Sequence, residues 1–234
     1  MSRVVAFQDL GQNQSYQQVW DQQEAVLQQN VAVKSALRND PSARINTTDQ
    51  LLFVEHAPVY TLGKSGDISH VLISDEQRAE MGIEFFKINR GGDITFHGPG
   101  QLVGYPILDL EHYKTDIGWY LRSLEEVIIL TLNDYGLKGE RSAGETGVWL
   151  DPGLKGMERK ICAMGIRCSR WITMHGFALN VNTNLSYFNN IVPCGIKNKQ
   201  VTSMEKELGG AIDLAAIKDA LQRNFEQVFE VRLV

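Results

Sequence analysis

The sequence predicts a mixed α/β (α+β) fold, a central mixed sheet flanked by helices, and three observations carry that prediction. Two stretches repeat apolar residues at helical spacing: Ile117, Tyr120, Leu121, Leu124, Val127 and Ile128, and later Leu214, Ile217, Leu221, Phe225 and Val228. Short apolar runs of strand length, such as residues 51–54 and 102–108, lie before and between them. Helix and strand signals alternate along the chain, the pattern of a sheet covered by helices.

The elements follow in order. Ser15 with Gln18 reads as a capping box opening a helix that runs to about Leu37, before the Asn39-Asp40-Pro41 break. Tyr16, Val19, Ala25 and Val26 lie near one face of it, opposite a Gln-rich wet face. Residues 51–54 suit a buried strand, and Pro58 and Gly63 mark the following EHAPVYTLGK as a loop. Residues 83–88 form a strand that delivers the chain into Arg90. Residues 102–108 form another, where Pro106 implies an edge or a bulged position. The glycine-rich RGGDITFHGPG therefore sits on a strand–loop–strand unit. Asp116 caps a helix over 117–135 that Gly136 stops. ETGVWL and residues 160–167 read as strands, a turn falls near Cys168-Ser169-Arg170, and residues 171–181 return as the second arm of a hairpin. Asp213 opens the last helix. With no repeat, low-complexity tract or linker, the reading is one domain over residues 1–234, its motif-bearing core at about 51–200.

Composition narrows the function classes. Hydrophobic content of 43% and charged content of 22% over 234 residues are those of an ordinary globular protein. No apolar run approaches the roughly 18 residues of a membrane span. The N-terminal stretch lacks a long apolar signal segment, so a cytoplasmic protein is expected. A net charge of −5 disfavours general nucleic-acid binding. The charge is uneven: residues 154–200 hold seven basic residues and one acid, +6, which leaves −11 for the remainder. That local basicity suggests docking of an acidic partner. Three cysteines, Cys162, Cys168 and Cys194, form no CxxC pair and no zinc-like spacing, which points to single thiols.

Glycines clustered beside Arg90 and His97 suit close approach of backbone to a ligand, or turns that a side chain would block. Cys194 lies in NNIVPCGIKNK, bounded by Pro193 and Gly195; a thiol there needs a nearby cation or base to ionise at pH 7. Lys160 opens RKICAMGIR in phase with Cys162, Met164 and Ile166, either as a snorkelling edge residue or as a partly buried amine. Beside Cys194 it would lower the thiol pKa and, when neutral, take its proton. Cys162 and Cys168 sit in apolar surroundings suited to structural thiols, and His175 in a strand reads as a core histidine. No Asp or Glu stands at metal-site spacing from the histidines. There is no GxxxxGK[ST] loop and no GxGxxG, so nothing local demands ATP.

RGGDITFHGPGQLVGYPILDL closely resembles the signature of the lipoyl(octanoyl) transferases, octanoyl-[acyl-carrier-protein]:protein N-octanoyltransferases. EHAPVYTLGK, RKICAMGIR, HGFALNVNTNL and the PCGI around Cys194 extend the resemblance over most of residues 51–197. It implies the α/β domain shared with biotin–protein and lipoate–protein ligases. It implies an acyltransferase without cofactor or metal that moves an octanoyl group from octanoyl-acyl carrier protein to a lysine of a lipoyl domain. The acceptors would be 2-oxoacid dehydrogenase complexes and the glycine-cleavage H protein. By resemblance Cys194 is the acyl-thioester nucleophile and Lys160 the lysine that tunes it. The substrate pocket falls on Arg90, Gly91, Gly92, Asp93, Ile94, Thr95, Phe96 and His97, on Ala163, Met164 and Gly165, and on Gly176, Phe177 and Ala178. Small residues at 163, 165, 176 and 178 are expected to leave room for an apolar tunnel. The segment 151–158, DPGLKGME, is longer than the family's usual connection. Two other readings stay open, an ATP-dependent lipoate–protein ligase, which would need no cysteine, and a non-catalytic acyl- or lipoyl-domain-binding protein.

Overall fold

The computed structural model describes residues 3–192 and 200–234. In chain order these form β1 (Arg3–Asp9), α1 (Tyr16–Asn39), β2 (Gln50–Val54), β3 (Val59–Leu62), α2 (Asp75–Glu80), β4 (Glu84–Lys87), β5 (Ile94–His97) and β6 (Gln101–Ile107). Then come α3 (Ile117–Asn133), β7 (Glu140–Arg141), β8 (Val148–Leu150), β9 (Arg159–Ser169), β10 (Ile172–Asn180), β11 (Gln200–Val201), α4 (Met204–Leu208), α5 (Leu214–Phe229) and β12 (Val231–Leu233). Nine of the strands make one mixed sheet, β12-β1-β2-β6-β10-β9-β8-β7 with β11 alongside β9; β4-β3-β5 form a second, smaller sheet.

Strands β2, β6 and β10 are buried along almost their whole length because both faces of the large sheet are covered. On one face Val19, Val26 and Leu27 of α1 pack on Leu52, Val103, Tyr105 and Met174. On the other, Leu124, Val127 and Ile128 of α3 and Ile217, Leu221 and Phe225 of α5 pack on Leu51, Phe53, Leu102 and Leu179. Each such side chain taken from water contributes about 1.5–3 kcal/mol. The helical stripes at 117–128 and 214–228 thus cover the sheet as their spacing requires. Asp116 accepts from the Trp119 N–H at 3.0 Å and starts α3 as anticipated. No helix among the described residues is long and apolar enough to cross a membrane.

Three local expectations change. The Ser15 side chain makes no capping hydrogen bond. The start of α1 is held instead by backbone pairing of Gln14, whose N–H donates to Glu55 O at 3.0 Å and whose carbonyl accepts from Ala57 N–H at 3.0 Å. The stretch around Pro58 and Gly63 is not all loop. Val59–Leu62 is β3, buried throughout, and its apolar–polar alternation is hidden because both of its faces are covered. Pro106 does not lie on an edge, since β6 runs between β2 and β10. It occupies an irregular position: the β6–β10 pairing spans Gln101 to Gly104 only, and beyond it the Thr173 hydroxyl donates to Pro106 O (2.9 Å) and accepts from Leu108 N–H (3.0 Å). The hydroxyl thus bonds the backbone on both sides of Ile107, where the regular ladder breaks off.

The β9–β10 hairpin forms as predicted, with its turn one residue later. Ser169 pairs with Ile172, and Arg170 and Trp171 both take positive φ, 49° and 65°. That is the twist a two-residue hairpin turn demands. The glycine-rich motif carries a strand of its own, β5 in the small sheet, and residues 98–100 then pass the chain to β6 in the large one. The loop before β5 is thereby laid across the middle of β9.

Candidate active site

The 90–93 loop is fastened on two sides. Toward the small sheet, Arg90 is 8% exposed; its Nη2 donates to Thr61 O (2.7 Å) and Thr61 Oγ1 (3.0 Å), and its Nη1 to Gly91 O (3.0 Å). Backbone N–H groups of Gly63, Lys64 and Ser65 donate to the carbonyls of Asp93, Arg90 and Gly92 at 3.0–3.2 Å. Toward the large sheet, Gly91 N–H donates to Ile166 O of β9 at 2.9 Å. A Cβ at Gly165 would stand 2.7 Å from Gly91 O, and one at Gly176 would collide with Gly104 O. These two glycines therefore let backbones touch; they do not leave open room, as the small side chains alone suggested.

Room comes from a row across the sheet. Ala163 of β9 faces Ala178 of β10, which faces Val103 of β6. Two strand spacings make this row about 10 Å long. Over it lies a cavity enclosing about 540 Å³ of atom-free space, part of it open to solvent. Arg90, Gly92, Asp93, Ile94, Thr95 and His97 line it from the motif, Lys160, Ala163, Met164 and Gly165 from β9, and His175, Gly176, Phe177 and Ala178 from β10. Tyr16, Val103 and Tyr105 complete the wall, and the sequence reading did not single them out. Gly91 lines a neighbouring groove instead. Phe96 turns away: it is 1% exposed and stacks on Tyr187 at 4.5 Å, inside the small sheet's own core. Strict alternation along β5 puts Phe96 opposite Thr95 and His97.

Lys160 is not an edge residue. It pairs with Trp149 of β8 on one side and with Val201 of β11 on the other. Trp149 and its neighbour Val148 face Lys160 and Cys162, so the register slips at Ile161. Cys162 is fully buried in the core, whereas Lys160 lines the cavity with its Nζ 4.6 Å from the Trp149 ring centroid. Cys194 lies outside the described residues. The described chain reaches Val192, whose N–H donates to His70 O at 2.8 Å, and resumes at Gln200–Val201 alongside Arg159 and Lys160. His70 in turn pairs through Nδ1 with Asp93 Oδ2 at 2.6 Å. The basic segment is less exposed electrostatically than its count implies. Arg159 pairs with Glu207 (2.7 Å) and Asp151 (2.5 Å), and Arg167 pairs with Glu24 (2.6 Å).

Two imidazoles, His97 and His175, line the cavity, a third, His56, packs behind it against Tyr16, His97 and Tyr105, and all are held neutral. Burial is the first cause in each case: His56 is brought down to about 4, His175 to about 3, and His97 well below the usual 6.5. Neighbouring His56 and the Arg90 charge depress His97 further. A polar chain fixes its tautomer. Gln101 Nε2 donates to Phe96 O (3.0 Å) and Asn180 Oδ1 (2.9 Å), leaving Oε1 to accept from His97 Nδ1 (2.8 Å). His97 Nε2 then accepts from the Thr61 hydroxyl at 3.5 Å, the same hydroxyl that receives Arg90. With both ring nitrogens engaged and the cationic form disfavoured, His97 is a poor general base at neutral pH. The thiols of Cys162 and Cys168 are pushed up by burial, which keeps them protonated and unreactive.

Comparison with known proteins gives a family from sequence and a matching fold from solved structures. The family profile of the lipoyl protein ligase A/B catalytic domain matches residues 15–226. The chain belongs to this family. It is 54% identical over 234 residues to a Christiangramia forsetii protein named octanoyltransferase, covering 100% of this chain and 99% of that one. It is 49% identical over 233 residues to the Cytophaga hutchinsonii octanoyltransferase, covering 99% and 95%. Among solved structures, the bipartite lipoate protein ligase of Thermoplasma acidophilum superposes with a TM-score of 0.69 at 15% identity, over 99% of this chain and 86% of that one. A lipoate-protein ligase A bound with ATP gives 0.67 at 14% identity, over 100% and 87%. At those identities the likeness shows the fold, the α/β domain of the lipoate–protein ligases.

Two tests follow from the geometry. Gly165→Ala forces the 90–93 loop off β9 and should cost about 1–3 kcal/mol in urea unfolding. The neutral histidines tie stability to pH. Between about pH 6.5 and pH 4 the unfolded chain binds protons at His56, His97 and His175 that the native chain refuses. Stability is therefore lost as pH falls, by up to about 1.4 kcal/mol per pH unit for each ring. Asp49 and Glu125, whose carboxyls burial raises, act in the opposite direction over part of that window. The three imidazole resonances should not titrate between pH 8 and pH 5 by NMR, and the melting temperature should be lower at pH 5 than at pH 7.5.

Proposed function

We propose that this protein is an octanoyltransferase that takes an octanoyl group from octanoyl-acyl carrier protein, holds it as a thioester on Cys194, and passes it to a lysine of a lipoyl domain. The observation that carries this reading is Lys160 on the wall of an otherwise largely apolar cavity whose floor, Ala163–Ala178–Val103, is about 10 Å long. An extended eight-carbon chain measures roughly 9 Å, from bonds of about 1.5 Å at tetrahedral angles. Full-length identity of 54% to a protein named octanoyltransferase supports the same choice of acyl group.

In this reading the Lys160 ammonium favours the Cys194 thiolate, and the neutral amine takes the thiol proton. The thiolate attacks the donor's thioester carbonyl, the new carbon–sulfur bond forms, and the carrier's thiol leaves with a proton. The acceptor amine then attacks the enzyme thioester, the carbon–sulfur bond breaks with Cys194 leaving as the thiolate, the amine's proton passes to Lys160, and an amide forms. Thioester exchange is near neutral in energy and the amide is the stable product, so no nucleotide is required. Arg90 and His97 hold the wall against which the acyl chain lies. The acceptors are lipoyl domains of 2-oxoacid dehydrogenase complexes and the glycine-cleavage H protein.

Mass spectrometry after mixing with octanoyl-acyl carrier protein should show one octanoyl group on Cys194, removed by hydroxylamine. Lys160→Ala should slow acylation by on the order of a hundredfold or more, while Cys162→Ala and Cys168→Ala keep most of the rate. An undiminished label in Cys194→Ser sinks the proposal.

A further inference from the structure

A second cavity adjoins the first. The two share Gly92, Asp93, Lys160, Met164 and Gly165, so Lys160 lines both. The second is a groove of about 940 Å³ of atom-free space, part of it open to solvent, which follows β9 from Lys160 to Ile166, between the 90–93 loop and the α3 side of the sheet. Leu121 and Ile166 give it apolar wall, and Ser65 and Thr146 bring hydroxyls to it. A thioester donor is a molecule with its reacting carbonyl in the middle, an acyl tail to one side and a thiol-bearing arm to the other. Two adjoining cavities that the proposed base lines in common match that shape.

We infer that this second groove holds the pantetheine-type arm of the acyl donor, an inference that rests on the acyl transfer proposed above. The seven strand residues from Lys160 to Ile166, six steps along β9, extend about 20 Å. A phosphopantetheine arm, thirteen bonds from sulfur to phosphorus, reaches roughly 16 Å. Its two amides and methylene spacers need alternating apolar contact and hydrogen-bonding groups, which Leu121 and Ile166, with Ser65 and Thr146, supply. Lys64, next to Ser65 in the chain, is exposed and offers a cation to the phosphate. The acceptor fits the groove poorly, because a lysine presented by a folded domain reaches only about 6 Å beyond its own backbone.

The test compares octanoyl-pantetheine with octanoyl-N-acetylcysteamine, which carries only the first amide, as donors to Cys194 in the full chain, beside octanoyl-acyl carrier protein. The wild type should prefer octanoyl-pantetheine by at least about tenfold in kcat/KM. Leu121→Trp, at a half-buried position of α3, and Ser65→Trp, at an exposed one, should bring that preference to within about threefold of unity. Both should also raise KM for octanoyl-acyl carrier protein. A preference retained in both variants overturns the inference. So does slowed transfer from octanoylated enzyme to a lipoyl domain with the donor preference intact, which assigns the groove to the acceptor. A wild type that none of the three donors acylates overturns the acyl-transfer reading, and this one with it.

Discussion

The contact between the 90–93 loop and β9 is the constraint on which the site depends. Gly91 touches Gly165 and Ile166 backbone to backbone, and Arg90 locks the other side of the loop to Thr61 of β3. No side chain wider than hydrogen fits at Gly165 without moving Gly91 O, so the glycines set the distance between the two sheets rather than the volume of the cavity. Everything that lines the cavity from the motif, Gly92 to His97, inherits its position from that fastening. Arg90 acts through geometry and through charge at once, since the same guanidinium that binds Thr61 depresses His97 and His175.

Electrostatics then separates wall from chemistry. Burial leaves His97 and His175 neutral on the cavity wall and His56 neutral behind it, and a chain of hydrogen bonds from Arg90 through Thr61, His97 and Gln101 to Asn180 engages both ring nitrogens of His97. Asn180 donates onward to Thr202 O at 3.0 Å, and the Thr202 N–H donates to Lys160 O at 3.0 Å. The wall is thereby continuous with the backbone that carries Lys160. A rigid, proton-inert wall beside the Lys160 amine suits thioester exchange, where water and stray bases would release the acyl group.

Much of this was legible in the sequence because the signals were local. The α3 and α5 stripes, the Asp116 cap and the β9–β10 hairpin follow from spacing and turn residues. Most of the motif residues expected around a ligand do line one cavity, and Phe96 departs because a strand alternates its faces. What stayed hidden depends on long-range packing. β3 looked like a loop because both of its faces are covered. Pro106 left an edge and a bulged position open, because nothing near it in the chain announces the Thr173 hydroxyl that bridges the irregular ladder. The register slip at Ile161, which parts Lys160 from Cys162, has no local marker at all. Tyr16, Tyr105 and Thr61 come from three separate segments and acquire a role only when the sheets pack; Thr61 and Tyr105 lie in blocks that carried a sequence signal, EHAPVYTLGK and RGGDITFHGPGQLVGYPILDL, but nothing local marks either residue for the site.

The central claim is that the acyl chain lies along Ala163, Ala178 and Val103, starting from Lys160. A crystal structure of the enzyme acylated with 8-bromo-octanoyl tests it most directly, because anomalous scattering locates the chain's far end independently of its density. The account predicts a bromine peak near Val103 and Tyr105. A peak in the groove beside Leu121 and Thr146 would contradict it.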